Sequence, residues 1–77
     1  MKLNNLGANQ TEIEMDGKTV LFSYKTPVAA WIGNGTEFGY FRTNKKWSVT
    51  TSRHINKWLG DIRATEKEQE FFDNLVK

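Results

Sequence analysis

Cysteine is absent from this chain of 77 residues, and proline and histidine occur once each, as Pro27 and His54. Without thiols, neither a disulfide nor a thiolate metal centre can reinforce the core, and a lone imidazole argues against a transition-metal site of standard ligation. No metal and no other cofactor is expected. An apolar run approaching the roughly 18 residues of a membrane span is also missing. Met1 to Gly7 carries one lysine and no apolar stretch, so it does not read as a secretory leader. We therefore expect a cytoplasmic protein without a membrane partner. Asn9-Gln10-Thr11 and Asn34-Gly35-Thr36 fit the glycosylation pattern, but without a leader both read as chance matches. Repeats, linkers and low-complexity tracts are lacking, which leaves one domain over residues 1–77. At this size a single core yields only about 3–5 kcal/mol of net stability, and a large catalytic cleft is not expected.

What the chain does have is ten aromatic residues and a charge that is unevenly spread. Residues 1–41 hold three lysines against four acids, residues 42–63 six basic residues against Asp61 alone, and residues 64–77 two lysines against four acids. The middle is basic and the tail acidic. Within that basic stretch Ile55, Trp58, Leu59 and Ile62 fall on one face of a 3.6-residue period. Thr50, Thr51 and Ser52 offer N-cap oxygens for a helix beginning near Arg53, and Gly60 can end it. Trp47 and Trp58 are assigned to the core, and Arg53 and Lys57, four apart, to the solvent side.

Upstream, the pattern is that of strands. Met1 to Gln10 reads as a polar lead-in whose Leu3 and Leu6 dock on the core. Thr11 to Met15 and Lys18 to Tyr24 flank Asp16-Gly17, a two-residue hairpin signal. That turn pairs Ile13 with Val20 and Met15 with Lys18, putting Ile13, Val20, Phe22 and Tyr24 on one face and Glu12 and Glu14 on the other. Pro27 interrupts the pattern, and a new strand should start there. Val28 to Ile32 and Thr36 to Arg42 then form a second hairpin around Asn34-Gly35, with Trp31 opposite Phe38 and Ala29 opposite Tyr40. Val28, Ala30, Ile32, Gly39 and Phe41 fall on the other surface. Lys46 to Thr50 reads as a short fifth strand. Thr65 and Glu68 form a capping-box pattern for a final helix carrying Phe71, Phe72, Leu75 and Val76. The expected fold is α+β: a small antiparallel β-meander of four to five strands followed by two short C-terminal helices.

No motif points to catalysis, and we expect a non-enzymatic protein. Gly33-Asn34-Gly35 with Gly39 has the wrong spacing and context for a phosphate loop. His54 could act as an acid or base with Asp61, but a solvated surface histidine is the plainer reading. Glu12, Glu14 and Asp16 read as a solvent face rather than a cation site. The preferred functional reading is nucleic-acid binding through Arg42, Lys45, Lys46, Thr51, Ser52, Arg53, His54 and Lys57, because cations, small hydroxyls and a helix N-terminus together suit phosphate. The alternative is a protein-interaction module, or a homodimer seam, built on an aromatic sheet face with Trp31, Phe38 and Tyr40.

The runs LGANQT, LFSYKTPVAAW and especially KKWSVTTSRHINKWL resemble short, uncharacterised proteins of tailed bacteriophages, over nearly the whole chain. The resemblance implies an accessory protein acting in the host cytoplasm, and it brings no activity, ligand or site residue with it. On that basis the protein partner of the alternative reading is a host protein.

Overall fold

The computed structural model describes residues 2–33, 35 and 38–76. Six strands and two helices follow in the order β1 (Lys2–Gly7), β2 (Gln10–Met15), β3 (Lys18–Ser23), β4 (Thr26–Ile32), β5 (Gly39–Thr43), α1 (Val49–Leu59), β6 (Thr65–Lys67) and α2 (Gln69–Leu75). They form one sheet whose spatial order is the chain order, β1-β2-β3-β4-β5-β6. The first five strands are antiparallel, and β6 lies parallel to β5 after the chain crosses through α1. The expected α+β arrangement of a meander followed by C-terminal helices is what the chain adopts. Among the described residues no helix is long and apolar enough to cross a membrane.

The registers sort the side chains into continuous rows, because residues directly opposite in neighbouring strands share a face. One row runs Leu3, Ile13, Val20, Ala30, Phe41 and Thr65 across all six strands. Val20, Ala30, Ile32 and Phe41 on that face are buried beneath Phe72 of α2, with Phe71, Leu75 and Val76 around it. On the opposite face Leu21, Val28 and Ala29 pack against Ile55 and Leu59 of α1. The sheet is therefore a middle layer with one helix on each side.

Pro27 explains why β3 and β4 slip. Leu21 pairs with Ala29 but Phe22 pairs with Pro27, so Val28 is the extra residue of a bulge. A proline has no N–H to give a ladder, and a bulge beside it removes the demand for one. The free carbonyl of Pro27 accepts a hydrogen bond from Gln69 Nε2 at 2.7 Å. The other side of the same carboxamide accepts from Thr43 Oγ1 at 2.9 Å and Trp47 Nε1 at 3.1 Å, and Nε2 also donates to Asp73 Oδ1 at 3.1 Å. One side chain thus ties β4, β5, the segment before α1 and the start of α2 together.

Several local expectations are corrected. Residues 2–7 are an edge strand rather than a docked lead-in, and Leu3 and Leu6 are exposed. Residues 46–48 are not a strand: Ser48 caps α1, its Oγ accepting the Thr51 N–H at 3.1 Å, so the helix begins at Val49 and not near Arg53. Ser48 wins because its side chain can reach the amide three residues on while its own backbone stays extended. Gly60 ends α1 as expected, at φ 61° with its N–H on the Asn56 carbonyl at 2.9 Å, a conformation that a Cβ would disfavour. Thr65 is drawn into β6 beside Phe41, so α2 starts at Gln69 with no side-chain cap. Tyr24 does not join the Ile13 face, since Tyr24 and Lys25 form the β3–β4 turn with Tyr24 at φ 60°. The second hairpin pairs Trp31 with Tyr40, Ala29 with Arg42 and Ile32 with Gly39, two residues away from the register of an Asn34-Gly35 loop. Asn34, Thr36 and Glu37 lie outside the described residues.

Phe72 is fully buried between α2 and the sheet. Replacing it with alanine should cost about 3–5 kcal/mol, comparable to the whole stability of a domain this size. Phe72→Ala should accordingly be largely unfolded by circular dichroism at 25 °C. Ile55→Val, on the opposite layer, should lose only about 0.5–1.5 kcal/mol and show a lowered urea midpoint with an unchanged slope.

Candidate functional site

The face that carries α1 has two rows. The inner row runs Asn4, Glu12, Leu21, Ala29, Arg42 and Glu66, and α1 lies over its apolar middle. The row beside it runs Lys2, Glu14, Thr19, Trp31 and Tyr40. Alternation alone places these five on the helix-bearing face; Tyr40 packs against the cluster under α1, whereas Lys2, Glu14 and Trp31 stay exposed. What results is an open groove of about 440 Å³ lined by Glu12, Glu14, Thr19, Trp31, Tyr40 and Trp58.

Each wall of the groove is held by a specific contact. Trp58 leaves α1 toward the sheet, and its Nε1 donates to Glu12 Oε1 at 2.8 Å. Tyr40 meets Trp58 edge to face, with ring centroids 6.0 Å apart. Asn4 Nδ2, one strand further out, donates to Glu12 Oε2 at 2.9 Å and Glu14 Oε2 at 2.7 Å, bridging the two carboxylates. Trp31 is 37% exposed. Its ring lies over Gly33, where an added Cβ would meet the Trp31 six-membered ring at 2.3 Å.

Of the three aromatic residues expected on an accessible sheet face, Trp31 and Tyr40 are brought together as direct cross-strand partners. Phe38 precedes β5 and is 68% exposed, and no contact places it in the groove. Glu12 and Glu14, read from the sequence as a solvent face, and Thr19, which the sequence did not single out, are groove residues, and Trp58 lines the groove while packing on the core as expected. The Asp16-Gly17 hairpin signal does put Glu14 opposite Thr19. The missing step was the pairing of Thr19 with Trp31, which joins the acidic strand to the aromatic one.

The basic segment is only partly assembled. Arg42, Lys45, Lys46, Thr51 and Ser52 line a small pocket of about 170 Å³, shared with Glu66. Arg42 donates to Asn56 Oδ1 at 3.2 Å, and the Lys45 ammonium sits 4.2 Å from the centre of the Trp47 ring. Trp47 is therefore not core; it is 42% exposed, with its N–H committed to Gln69. Thr51 borders that pocket, but it is only 5% exposed and its hydroxyl is held by Ser23 Oγ at 3.0 Å. His54 is half-buried rather than a solvated surface residue, and its Nδ1 shares a 2.7 Å hydrogen bond with the same Ser23 Oγ. A serine beside a histidine invites comparison with a nucleophile and its base. Ser23, however, is 1% exposed and also bonded to Thr51, and the trio acts as a buried latch between the end of β3 and α1. Ser52, Arg53 and Lys57 are exposed, and Arg53, His54 and Lys57 do not line the pocket that the other five share. Glu14 and Asp16 are exposed and Glu12 is half-buried, in keeping with the expected solvent face, and Glu12 and Glu14 also line the groove.

Residues 1–74 match a family described as a family of unknown function, DUF8033. The chain belongs to that family. No curated protein and no solved structure matches it.

The contact between Trp31 and Gly33 makes the groove wall adjustable by one methyl group. In Gly33→Ala the indole, being the end of a rotatable side chain, should move while the sheet stays intact. The expected readout is a displaced Trp31 indole N–H resonance with little change at Trp47 or in the urea midpoint.

Proposed function

We propose that this chain is a non-enzymatic protein-interaction module that engages a partner protein through the groove of Trp31, Tyr40 and Trp58 and through the exposed Phe38 that precedes β5. The observation that carries this reading is the open groove beside α1, which the exposed Trp31 and the half-buried rings of Tyr40 and Trp58 line together. Tryptophan and tyrosine in such positions supply large rigid contact area with a polar tip, the chemistry that dominates interface hot spots. The resemblance of KKWSVTTSRHINKWL and its flanking runs to phage proteins supports a bacterial host protein as the partner, and an accessory role in the host cytoplasm.

Nucleic-acid binding is the second reading, supported by the exposed Lys46, Arg53 and Lys57 on and before α1. It is weaker because Thr51 and His54 are committed inside the fold, and because Glu66 shares the pocket that would receive a phosphate.

The two readings separate in paired experiments. Partner capture from the native cells should fall about tenfold or more for Trp31→Ala and for Phe38→Ala, and persist for Lys46→Glu/Arg53→Glu/Lys57→Glu. Labelled single- and double-stranded oligonucleotides should show no salt-dependent anisotropy change. Micromolar oligonucleotide binding that disappears in the charge-reversed protein, with capture insensitive to Trp31, would replace the first reading with the second.

A further inference from the structure

We infer that the groove is a cation site and that its occupant is an arginine side chain carried by a basic segment of the partner protein. This inference rests on the interaction reading above and gives that partner its chemistry. The groove combines two features that attract the same kind of group. The negative faces of aromatic rings attract a cation placed over them, and neighbouring carboxylates attract it by charge. Here Trp31, Tyr40 and Trp58 supply the rings and Glu12 and Glu14 the carboxylates.

The hydrogen bonding shows what the carboxylates have left to offer. Glu12 receives Trp58 Nε1 on one oxygen and Asn4 Nδ2 on the other, and Glu14 receives Asn4 on a single oxygen. These donors are neutral, so they orient both groups without cancelling their charge. A carboxylate oxygen can accept more than one hydrogen bond, and Glu14 Oε1 receives none of these donors. The basic residues of the neighbouring elements are largely directed elsewhere. Arg42 donates to Asn56, and the Lys18 ammonium donates to the Leu75 carbonyl at 2.9 Å on the α2 side. Lys2 faces Glu14 in register from the exposed edge strand, at the outer end of the row, and lines the neighbouring pocket rather than the groove.

The shape selects among cations. A hard metal ion wants a shell of oxygen ligands, and among the described residues no group of three or more His, Cys, Asp or Glu is placed to hold one. An ammonium is a compact, strongly hydrated point charge. A guanidinium is flat, weakly hydrated, stacks on aromatic faces and pairs with carboxylates through a fork of N–H groups. A groove lined by two indoles, a phenol and two carboxylates matches the last of these.

The test uses the intact protein and follows the indole N–H resonances while a short Gly/Ser peptide carrying arginines is added near physiological salt. Its partner peptide replaces each arginine with citrulline, which keeps the shape and removes the charge. The Trp31 and Trp58 signals should shift and the Trp47 signal should not. The apparent Kd should rise about tenfold or more for the citrulline peptide, and likewise for Trp31→Ala and Glu14→Gln, two exposed positions whose replacement leaves both core layers intact. Equal binding of the citrulline peptide, shifts centred on Trp47, a short oligonucleotide moving the same signals, or no shift at millimolar peptide would each overturn the assignment. If native-partner capture still depends on Trp31 while the arginine peptide does not bind, only this inference falls. If capture is also independent of Trp31, the interaction reading falls with it.

Discussion

A sheet of six strands has two faces to cover, and this chain has one short helix for each. Adjacent strands lie about 4.8 Å apart, so six of them span roughly 24 Å. A helix is about 10–12 Å across, and the 11 residues of α1 reach only about 16 Å. Burial can therefore be complete only over the middle of each face. On the α2 side the deficit falls on the β1 end, where Leu3 remains exposed. On the α1 side it falls on Glu14 and Trp31, which stay exposed, and the groove lies between them and the contact of Trp58 with Tyr40 and Glu12. The site is thus a direct outcome of how much apolar surface two short helices can hide.

Two polar clusters fix the helices where the apolar contacts alone would allow sliding. Ser23, Thr51 and His54 lock α1 to the end of β3, and the Gln69 carboxamide locks the start of α2 to Pro27, Thr43 and Trp47. Both are internally satisfied. A buried hydroxyl or amide that loses its partner costs about 1–3 kcal/mol, so these contacts penalise other registers more than they stabilise this one. The first cluster also removes two residues from the basic surface and so shifts the balance between the two readings of function.

Much of the fold was legible because it rests on local chemistry. The Asp16-Gly17 turn, the pairing of Ile13 with Val20, the break at Pro27 and the end of α1 at Gly60 all follow from residues a few positions apart. The errors have a common cause in competition between equally good local candidates. Ser48 and Thr50 to Ser52 can each cap a helix, and only the docking of Thr51 against Ser23 decides among them. Thr65 fits a capping box as well as a strand, and the open edge of β5 claims it. The groove itself was half visible: Trp31 and Tyr40 were expected on an accessible face, whereas Glu12 and Glu14 joined them only once β3 and β4 were paired with a bulge at Val28.

The coincidence of strand order with chain order has a consequence for how the molecule is made. Each strand adds to the one synthesised just before it, so the meander can assemble outward from its N-terminal edge as the chain emerges, without waiting for a distant partner. The exception is the last segment. Val20, Ala30 and Phe41 have no cover until β6 has paired beside β5 and Phe72 has left the ribosome. A nascent chain stalled before that point would present a sticky row of apolar side chains, and the final dozen residues act as the cap that ends this vulnerable interval.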